Sequence, residues 1–203
     1  MKATHFRAAA LLLCTLLALP TSSLLAATPP PELPAFAQQV AKQYGLDLRE
    51  VQATLAQAQY RQSTIDAMSR PAESVKPWKD YRPIFVTAKR IHDGRAFFSG
   101  NHDQLMKVQA ATGVPAEIIV AIIGVETGYG GNTGSYRVLD ALYTLAFWYP
   151  RSGDPTKAKR ETDRQGFFRE QLAQLFALAH EQGFAVTSLT GSYAGAMGWG
   201  QFM

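Results

Sequence analysis

One carboxylate in this chain stands where it could act as a general acid. Glu126 ends an apolar run, Ile118 to Val125, and a glycine-rich turn, Thr127 to Asn132, follows it directly. Apolar surroundings and the negative end of a helix both favour the protonated form of a carboxyl group. General acid catalysis requires such a proton, held until the reacting group can take it. From this segment alone, an ordinary solvated glutamate at a helix end is an equally good interpretation.

A second segment, Gly191 to Met203, carries residue types that suit sugar binding. Its sequence is GSYAGAMGWGQFM, and its four glycines permit close approach of backbones. Tyr193, Trp199 and Phe202 offer flat faces that can stack on sugar rings, while Gln201 offers an amide for hydroxyl or acetamido groups. The alternative is a tightly packed junction between helices. Together with the glutamate, this string favours a carbohydrate cleft.

Helices are the elements that must position both segments, and the sequence predicts an all-α fold. Apolar residues recur at helical spacing, and no convincing run of alternating β-branched residues indicates a strand. The predicted helices cover residues 34–44, 48–59, 63–68, 135–149 and 162–182. Gly45 is expected to end the first of them, and Asp47 to cap the start of the second.

The region before Glu126 is less regular in its pattern. Residues 74–85 are expected to form an ordered loop or a broken helix, and residues 87–111 form one helix or two that meet near Gly94 or Gly100. Pro115 then opens the Glu126 helix. Because that helix is apolar on every side, we expect it to be central and packed against several others.

Composition and charge narrow the class of protein. The chain has 203 residues, of which 47% are hydrophobic and 18% are charged, so one domain with a real core is expected rather than disorder. The formal net charge is +4, but the basic residues are scattered and do not alternate with aromatics. We therefore expect no nucleic-acid partner.

Residues 1–27 have the pattern of an export signal. Two basic residues precede the apolar stretch Ala8 to Leu19, and small residues follow up to Ala27. This predicts a periplasmic protein, with a retained anchor and membrane association as the alternative. The single cysteine, Cys14, follows Leu13 where a lipidation site needs a small residue, so lipidation is not expected.

The longest blocks of the chain resemble the B-type membrane-bound lytic murein transglycosylases, from about Trp78 to the last residue. The matching blocks are VPAEIIVAIIGVETGYGGNTG (114–134), RVLDALYTLAFWYPR (137–151) and GSYAGAMGWGQFM (191–203). The resemblance implies a lysozyme-like helical catalytic domain over 75–203, after a linker and additional N-terminal helices over 28–74. It further implies cleavage of the β-1,4 bond between N-acetylmuramic acid and N-acetylglucosamine in peptidoglycan, leaving a 1,6-anhydromuramic acid end without use of water.

The resemblance also assigns roles to single residues. Glu126 would protonate the leaving oxygen and then, as a carboxylate, accept the proton of the attacking C6 hydroxyl, while the substrate's 2-acetamido group stabilises the cation. The expected substrate-binding residues are Tyr81, Tyr129, Arg151, Ser192, Gln201 and, as a sugar-stacking ring, Phe202. Simpler alternatives are a core-edge tyrosine at 81, a turn serine at 192 and a backbone-binding amide at 201. Ser152 replaces a second arginine that usually follows Arg151, which puts binding of the stem peptide in doubt.

No cofactor is expected in this chain. Its histidines lack ligand-like spacing, and relatives carry a calcium loop further along, beyond Met203, so the catalytic domain is expected to be incomplete at its C-terminus. The expected partners are peptidoglycan glycan strands and assemblies that build or degrade the cell wall, with the chain itself a monomer. The alternatives to the transglycosylase are a hydrolytic muramidase on the same scaffold and a non-catalytic peptidoglycan-binding protein.

Overall fold

Nine α-helices account for most of residues 28–70 and 76–203, which are the residues that this computed structural model describes. The helices are α1 (Leu33–Tyr44), α2 (Leu48–Leu55), α3 (Gln62–Met68), α4 (Trp78–Phe85), α5 (Ala88–Gly100), α6 (His102–Thr112), α7 (Ala116–Thr127), α8 (Val138–Trp148) and α9 (Ala158–Gln182). Two short strands are β1 (Tyr136–Arg137) and β2 (Thr190–Gly191). The all-α prediction is confirmed. The predicted export signal and Cys14 lie outside the described residues.

Local sequence signals set several helix ends as predicted. The carboxylate of Asp47 accepts hydrogen bonds from the amides of Arg49 at 2.7 Å and Glu50 at 3.0 Å, which satisfies donors that the first turn of α2 leaves free. Gly45 ends α1 with a left-handed φ of 66°. The α5–α6 boundary at Gly100 is one of the two breaks that the sequence left open.

Residues 78–85 form a helix, where the sequence predicted a loop or a broken helix. Pro83 lies inside α4, but so short a helix loses little hydrogen bonding to it. The rings of Tyr81 and Phe85 lie one turn apart, with centroids at 4.8 Å, and the guanidinium of Arg90 lies 5.1 Å from the Phe85 centroid. Contacts of the aromatic side chains accompany the helix despite the proline.

The main hydrophobic core joins the N-terminal helices to α8 and α9. Its fully buried members include Val40 on α1, Leu139 and Leu145 on α8, and Phe168 and Leu172 on α9. A smaller cluster holds α5, α6 and α7 together. The division expected at residue 74 therefore does not separate two cores, because α1 to α3 pack on helices assigned to the second region.

Helix α7 is not central, so that prediction is wrong for the part of the chain that the structure describes. Its buried face packs mainly on α5 and α6 and consists of Ala116, Val120, Gly124 and Thr127. The opposite face, here called the outer stripe, consists of Ile118, Ile122 and Val125, which are 51%, 50% and 48% exposed. The helix is apolar all round, but the described helices cover only one side of it.

Over the described ranges, no single helix has both the length and the apolar composition needed to cross a bilayer. Helices α6 and α7 reach that length and apolar composition only when they are taken together, and the chain bends by 114° between them.

A two-stranded antiparallel pair brings the residues after α7 next to those after α9. Tyr136 pairs with Gly191 and Arg137 with Thr190. Gly134, with a φ of 90°, lies so close to this pair that a Cβ would overlap the carbonyl oxygen of Gly191. Only glycine fits there, and the close approach sets the base of the cleft described next.

Candidate active site

Glu126 lies on the wall of an open cleft of about 460 Å³. One side of the cleft is the turn of residues 131–136, which follows α7. The other side is formed by Ser192, Tyr193 and Gln201 from the glycine-rich string after β2. The structure therefore brings together the two segments that the sequence singled out for chemistry and sugar binding.

The end of α7 presents Glu126 to this cleft. Gly128 takes a left-handed φ of 58°, and its amide donates to the carbonyl of Gly124 at 3.2 Å. Tyr129 is also left-handed, with a φ of 63°, and its amide donates to the carbonyl of Ile123 at 3.3 Å. These bonds stop the helix and reverse the chain directly after the glutamate.

The side chain of Glu126 is exposed, which differs from the sequence expectation of a poorly solvated carboxylate. Its neighbours on the helix surface include the half-exposed Ile122 of the outer stripe, so the described residues do not supply the expected desolvation. A positive charge does lie at this end of α7, because Arg90 donates from its guanidinium to the carbonyl of Gly124 at 2.8 Å. A cation at a helix C-terminus offsets the negative end of the helix dipole.

Ser192 and Gln201 both line the Glu126 cleft and are both partly engaged with the backbone. The Ser192 Oγ accepts from the amides of Ala194 at 3.3 Å and Ala196 at 3.0 Å, so its own hydrogen is left to donate. The Gln201 amide nitrogen donates to the carbonyls of Thr133 at 3.2 Å and Gly198 at 3.0 Å. Its Oε1 is then the group of this side chain that can accept from a ligand. Each side chain can therefore hold the local backbone and bind a ligand in the cleft at the same time.

Tyr129 was expected to bind substrate, but the structure uses its ring for packing. The side chain lies against Gly94 on α5 and Gly124 on α7, where an added Cβ would come within 2.6 Å of the hydroxyl oxygen and of the ring, respectively. Its hydroxyl donates to the carbonyl of Arg90 at 3.0 Å. Tyr129 does not line the cleft and instead fixes the turn that follows Glu126.

Three other expected residues lie apart from the cleft wall. Tyr81 lies on α4 between Trp78 and Phe85. The Arg151 guanidinium donates to side chains of α9, including Thr162 at 3.3 Å. Phe202 is 77% exposed next to the cleft-lining Gln201, but it is not itself part of the wall. The structure therefore brings Glu126, Ser192 and Gln201 together and leaves these three elsewhere.

Several polar residues of the cleft carry no signal of a functional role in the sequence. These are Asn132, Thr133, Ser135 and Tyr136. Tyr136 packs edge-on against Tyr193 across the cleft, with ring centroids 6.5 Å apart. These four residues follow Glu126 closely in the chain, and this proximity could have marked them as candidates. However, no local pattern predicts that their turn faces the distant 191–203 string.

Among the described residues that line the cleft, Glu126 is the single carboxylate. Asp140 on α8 is 1% exposed and accepts from Arg61 Nη2 at 2.7 Å and from the Gln59 amide at 3.0 Å. Those contacts give Asp140 a structural role away from the cleft. In the described ranges, no three potential ligand side chains come together as a metal site.

Comparisons with known proteins identify relatives of this chain. A family model described as transglycosylase SLT domain matches residues 30–203. The membrane-bound lytic murein transglycosylase B of Escherichia coli (strain K12) is 36% identical over 182 residues, or 85% of this chain and 47% of that protein. Thus the chain spans about half the length of this relative.

Solved structures of similar proteins also superimpose on this chain. The soluble lytic transglycosylase SltB1 of Pseudomonas aeruginosa superimposes with a TM-score of 0.74 at 46% identity, over 85% of this chain and 54% of its own. SltB3 of the same species, solved in complex with NAG-anhNAM-pentapeptide, gives a TM-score of 0.67 at 28% identity, over 83% of this chain and 41% of its own.

Proposed function

This chain belongs to the family of B-type lytic murein transglycosylases, and we propose that it cleaves the β-1,4 bond between N-acetylmuramic acid and N-acetylglucosamine in peptidoglycan. The proposed product is a glycan strand that ends in 1,6-anhydromuramic acid. The observation that carries this proposal is the cleft in which Glu126 is the one carboxylate among the described lining residues. Glycosidases that use water as the nucleophile generally need a second carboxylate near the bond.

The proposed reaction uses Glu126 twice. Its carboxyl group gives a proton to the glycosidic oxygen as the bond from that oxygen to C1 of the muramic acid breaks. The substrate's 2-acetamido group stabilises the positive charge that develops at C1. The C6 oxygen of the same sugar then forms the new bond to C1, and its proton returns to the Glu126 carboxylate. The carboxyl group is restored, and no water is consumed.

The cleft walls offer the contacts that this substrate needs. The free hydrogen of Ser192 and the Oε1 of Gln201 supply one donor and one acceptor for acetamido or hydroxyl groups. Tyr136 and Tyr193 supply aromatic surface, and Tyr193 is 41% exposed. The NAG-anhNAM-pentapeptide bound by the relative SltB3 has the chemistry of the proposed product.

Replacement of the acid tests the proposal most directly. Glu126→Gln keeps the shape of the side chain but removes its proton, so we expect release of anhydromuropeptides from purified sacculi to fall by about 10³-fold or more, measured by mass spectrometry. Glu117→Gln is the matched control, because Glu117 lies in the exposed first turn of the same helix. Full activity of Glu126→Gln would exclude the proposed role.

The products also separate the proposed activity from the alternatives. A hydrolytic muramidase would leave free reducing ends, which borohydride reduces, whereas anhydro ends resist reduction. A non-catalytic binding protein would sediment with sacculi but release no fragments, in both the wild-type and the Glu126→Gln forms.

We further propose that the protein acts in the cell envelope. Within the envelope, the proposed compartment is the periplasm, which the protein reaches by export directed by residues 1–27. The relative from E. coli is named membrane-bound, which supports an envelope location. Cell fractionation with a periplasmic marker tests this location.

No step of the proposed chemistry uses a metal ion, so we expect chelation to leave the product yield of this chain unchanged.

A further inference from the structure

Thr127, the residue directly after Glu126, lies on the buried side of α7. Its side chain is 2% exposed, and it belongs to the buried stripe with Val120 and Gly124. A buried hydroxyl group needs hydrogen-bond partners, since an unpaired one destabilises the fold. The partners of this hydroxyl lie in two separate segments of the chain.

The Thr127 hydroxyl joins the turn after α7 to the glycine-rich string. Its Oγ1 accepts from the amide of Gly130 at 2.9 Å. It lies 2.9 Å from the carbonyl oxygen of Trp199 and 3.2 Å from that of Ile123, and its one hydrogen can go to either. The Ile123 carbonyl also receives the amide of Tyr129. Trp199 is thus the partner with the shorter distance and without another donor among the described residues.

This contact places the two walls of the cleft relative to each other. Trp199 stands two residues before Gln201, whose amide reaches the carbonyl of Thr133 on the opposite wall. The indole ring of Trp199 lies over Gly130, where a Cβ would come 2.7 Å from its Nε1. The hydroxyl of Thr127 therefore ties the helix end that carries Glu126 to the string that carries Ser192.

The carboxylate of Glu126 has no anchor of its own among the described side chains. Within the described ranges, no side-chain hydrogen bond holds its carboxylate, so the backbone of α7 alone determines where it lies. We infer that Thr127 is a positioning residue, whose hydroxyl fixes the carboxylate of Glu126 with respect to the 191–203 wall. This inference rests on the proposed transglycosylase function for its kinetic consequence, but the hydroxyl contacts can be tested without activity.

Two substitutions separate the hydroxyl from the bulk of the side chain. Thr127→Val keeps the volume and removes the hydroxyl, whereas Thr127→Ser keeps the hydroxyl. We expect the kcat for release of anhydro products to fall by about 10- to 100-fold in Thr127→Val, with KM within about twofold, because a displaced acid reduces the chemical step more than binding. Thr127→Ser should remain within about threefold of wild type.

The matched control is Thr144→Val. Thr144 is also fully buried, and its Oγ1 accepts one hydrogen bond, from the Arg61 amide at 3.0 Å, away from the cleft. This variant should lose stability but keep its kcat. Equal kcat values for Thr127→Val and wild type, or an equal loss in Thr127→Ser, would overturn the inference.

Amide hydrogen exchange of Gly130, followed by NMR, provides the second measurement. The exchange rate should rise by about tenfold or more in Thr127→Val and stay near the wild-type rate in Thr127→Ser. If wild-type protein released no anhydro ends but showed this exchange pattern, the proposed function would fail and the hydroxyl contact would stand. Unchanged exchange in Thr127→Val would remove the basis of the inference.

Discussion

At the scale of single residues, the ring of Tyr129 fills the space that two glycines leave between α5 and α7. Gly94 and Gly124 both lie against this ring, and the hydroxyl reaches the carbonyl of Arg90. The identity of each glycine is therefore a packing requirement rather than a demand of the helix backbone. The turn that presents Glu126 depends on this fit.

The first prediction compares two helical glycines. Gly124→Ala would place a methyl group 2.6 Å from the Tyr129 ring, so we expect a loss of about 2 kcal/mol in the free energy of unfolding. Gly166→Ala on α9 meets no atom within 4 Å, and there we expect a gain of about 0.5–1 kcal/mol from helix propensity. Urea denaturation of both variants measures the difference, and a neutral Gly124→Ala would contradict the packing described.

A second prediction concerns the buried carboxylate of Asp140. Its partners join residues 59–61 to α8, so Asp140→Asn should lower the free energy of unfolding by about 3 kcal/mol. Because Asp140 does not line the cleft, the activity per folded molecule should persist at a temperature well below the melting point. A stable but inactive Asp140→Asn variant would instead support a second catalytic acid.

At the scale of elements, the two faces of α7 have different energetic roles. Val120 is 7% exposed on the inner face, whereas Val125 is 48% exposed on the outer stripe. Val120→Ala should lower the free energy of unfolding by about 2 kcal/mol. Val125→Ala should change it by less than about 0.5 kcal/mol, because alanine has the better helix propensity and little burial is lost. Equal losses for the two variants would show that the outer stripe is covered in solution.

The first turn of α9 contains a carboxylate, Glu161, whose charge stabilises the loop before that helix. Glu161 accepts from the Oγ of Ser152 at 2.6 Å and from its amide at 3.0 Å, and these hydrogen bonds hold the pKa of Glu161 below its ordinary value of 4.5. A depressed folded-state pKa contributes stability that is complete above the unfolded value and is lost as pH falls through the folded value. The loop contacts should therefore weaken at pH values below 4.5.

An NMR titration tests this interpretation. The pKa of Glu161 should rise towards its ordinary value in Ser152→Ala, because the hydroxyl group that donates to this carboxylate is removed. Ser69→Ala is the control, since the Ser69 hydroxyl donates only to the carbonyl of Ile65 and the pKa of Glu161 should not change. An unchanged pKa in Ser152→Ala would assign the shift to other groups.

Local sequence signals predicted where the helices lie better than they predicted which helices pack side by side. Asp47, Gly45 and the apolar spacing of α8 and α9 act within a few residues, so the sequence predicts those helices and the all-α class. The exposure of the outer stripe depends on which helices lie beside α7, and no pattern within α7 contains that information. The same limit applies to Tyr129, because its burial depends on Gly94, which belongs to another helix.

At the scale of the whole molecule, the cleft lies where two separate parts of the chain meet. Glu126 lies on α7, which packs in the small cluster of α5 to α7, whereas Ser192 follows α9, which belongs to the main core. The chemistry of Glu126, Ser192 and Gln201 was predicted from the types of residue and the family resemblance. Their shared cleft required the β1–β2 pair and the close approach of Gly134 to Gly191.

The pairing of β1 with β2 has a consequence for the order in which the protein folds. Two residues on each strand cannot by themselves offset the entropy of closing the long loop between them. The contact between α8 and α9 is the most extensive in the fold and forms between near neighbours in the chain, so it can form early and bring Arg137 close to Thr190. The hydrogen bonds of α7 are local in sequence, whereas the cleft needs this distant pair. We therefore expect a partly folded molecule to carry Glu126 on its helix before any cleft surrounds it.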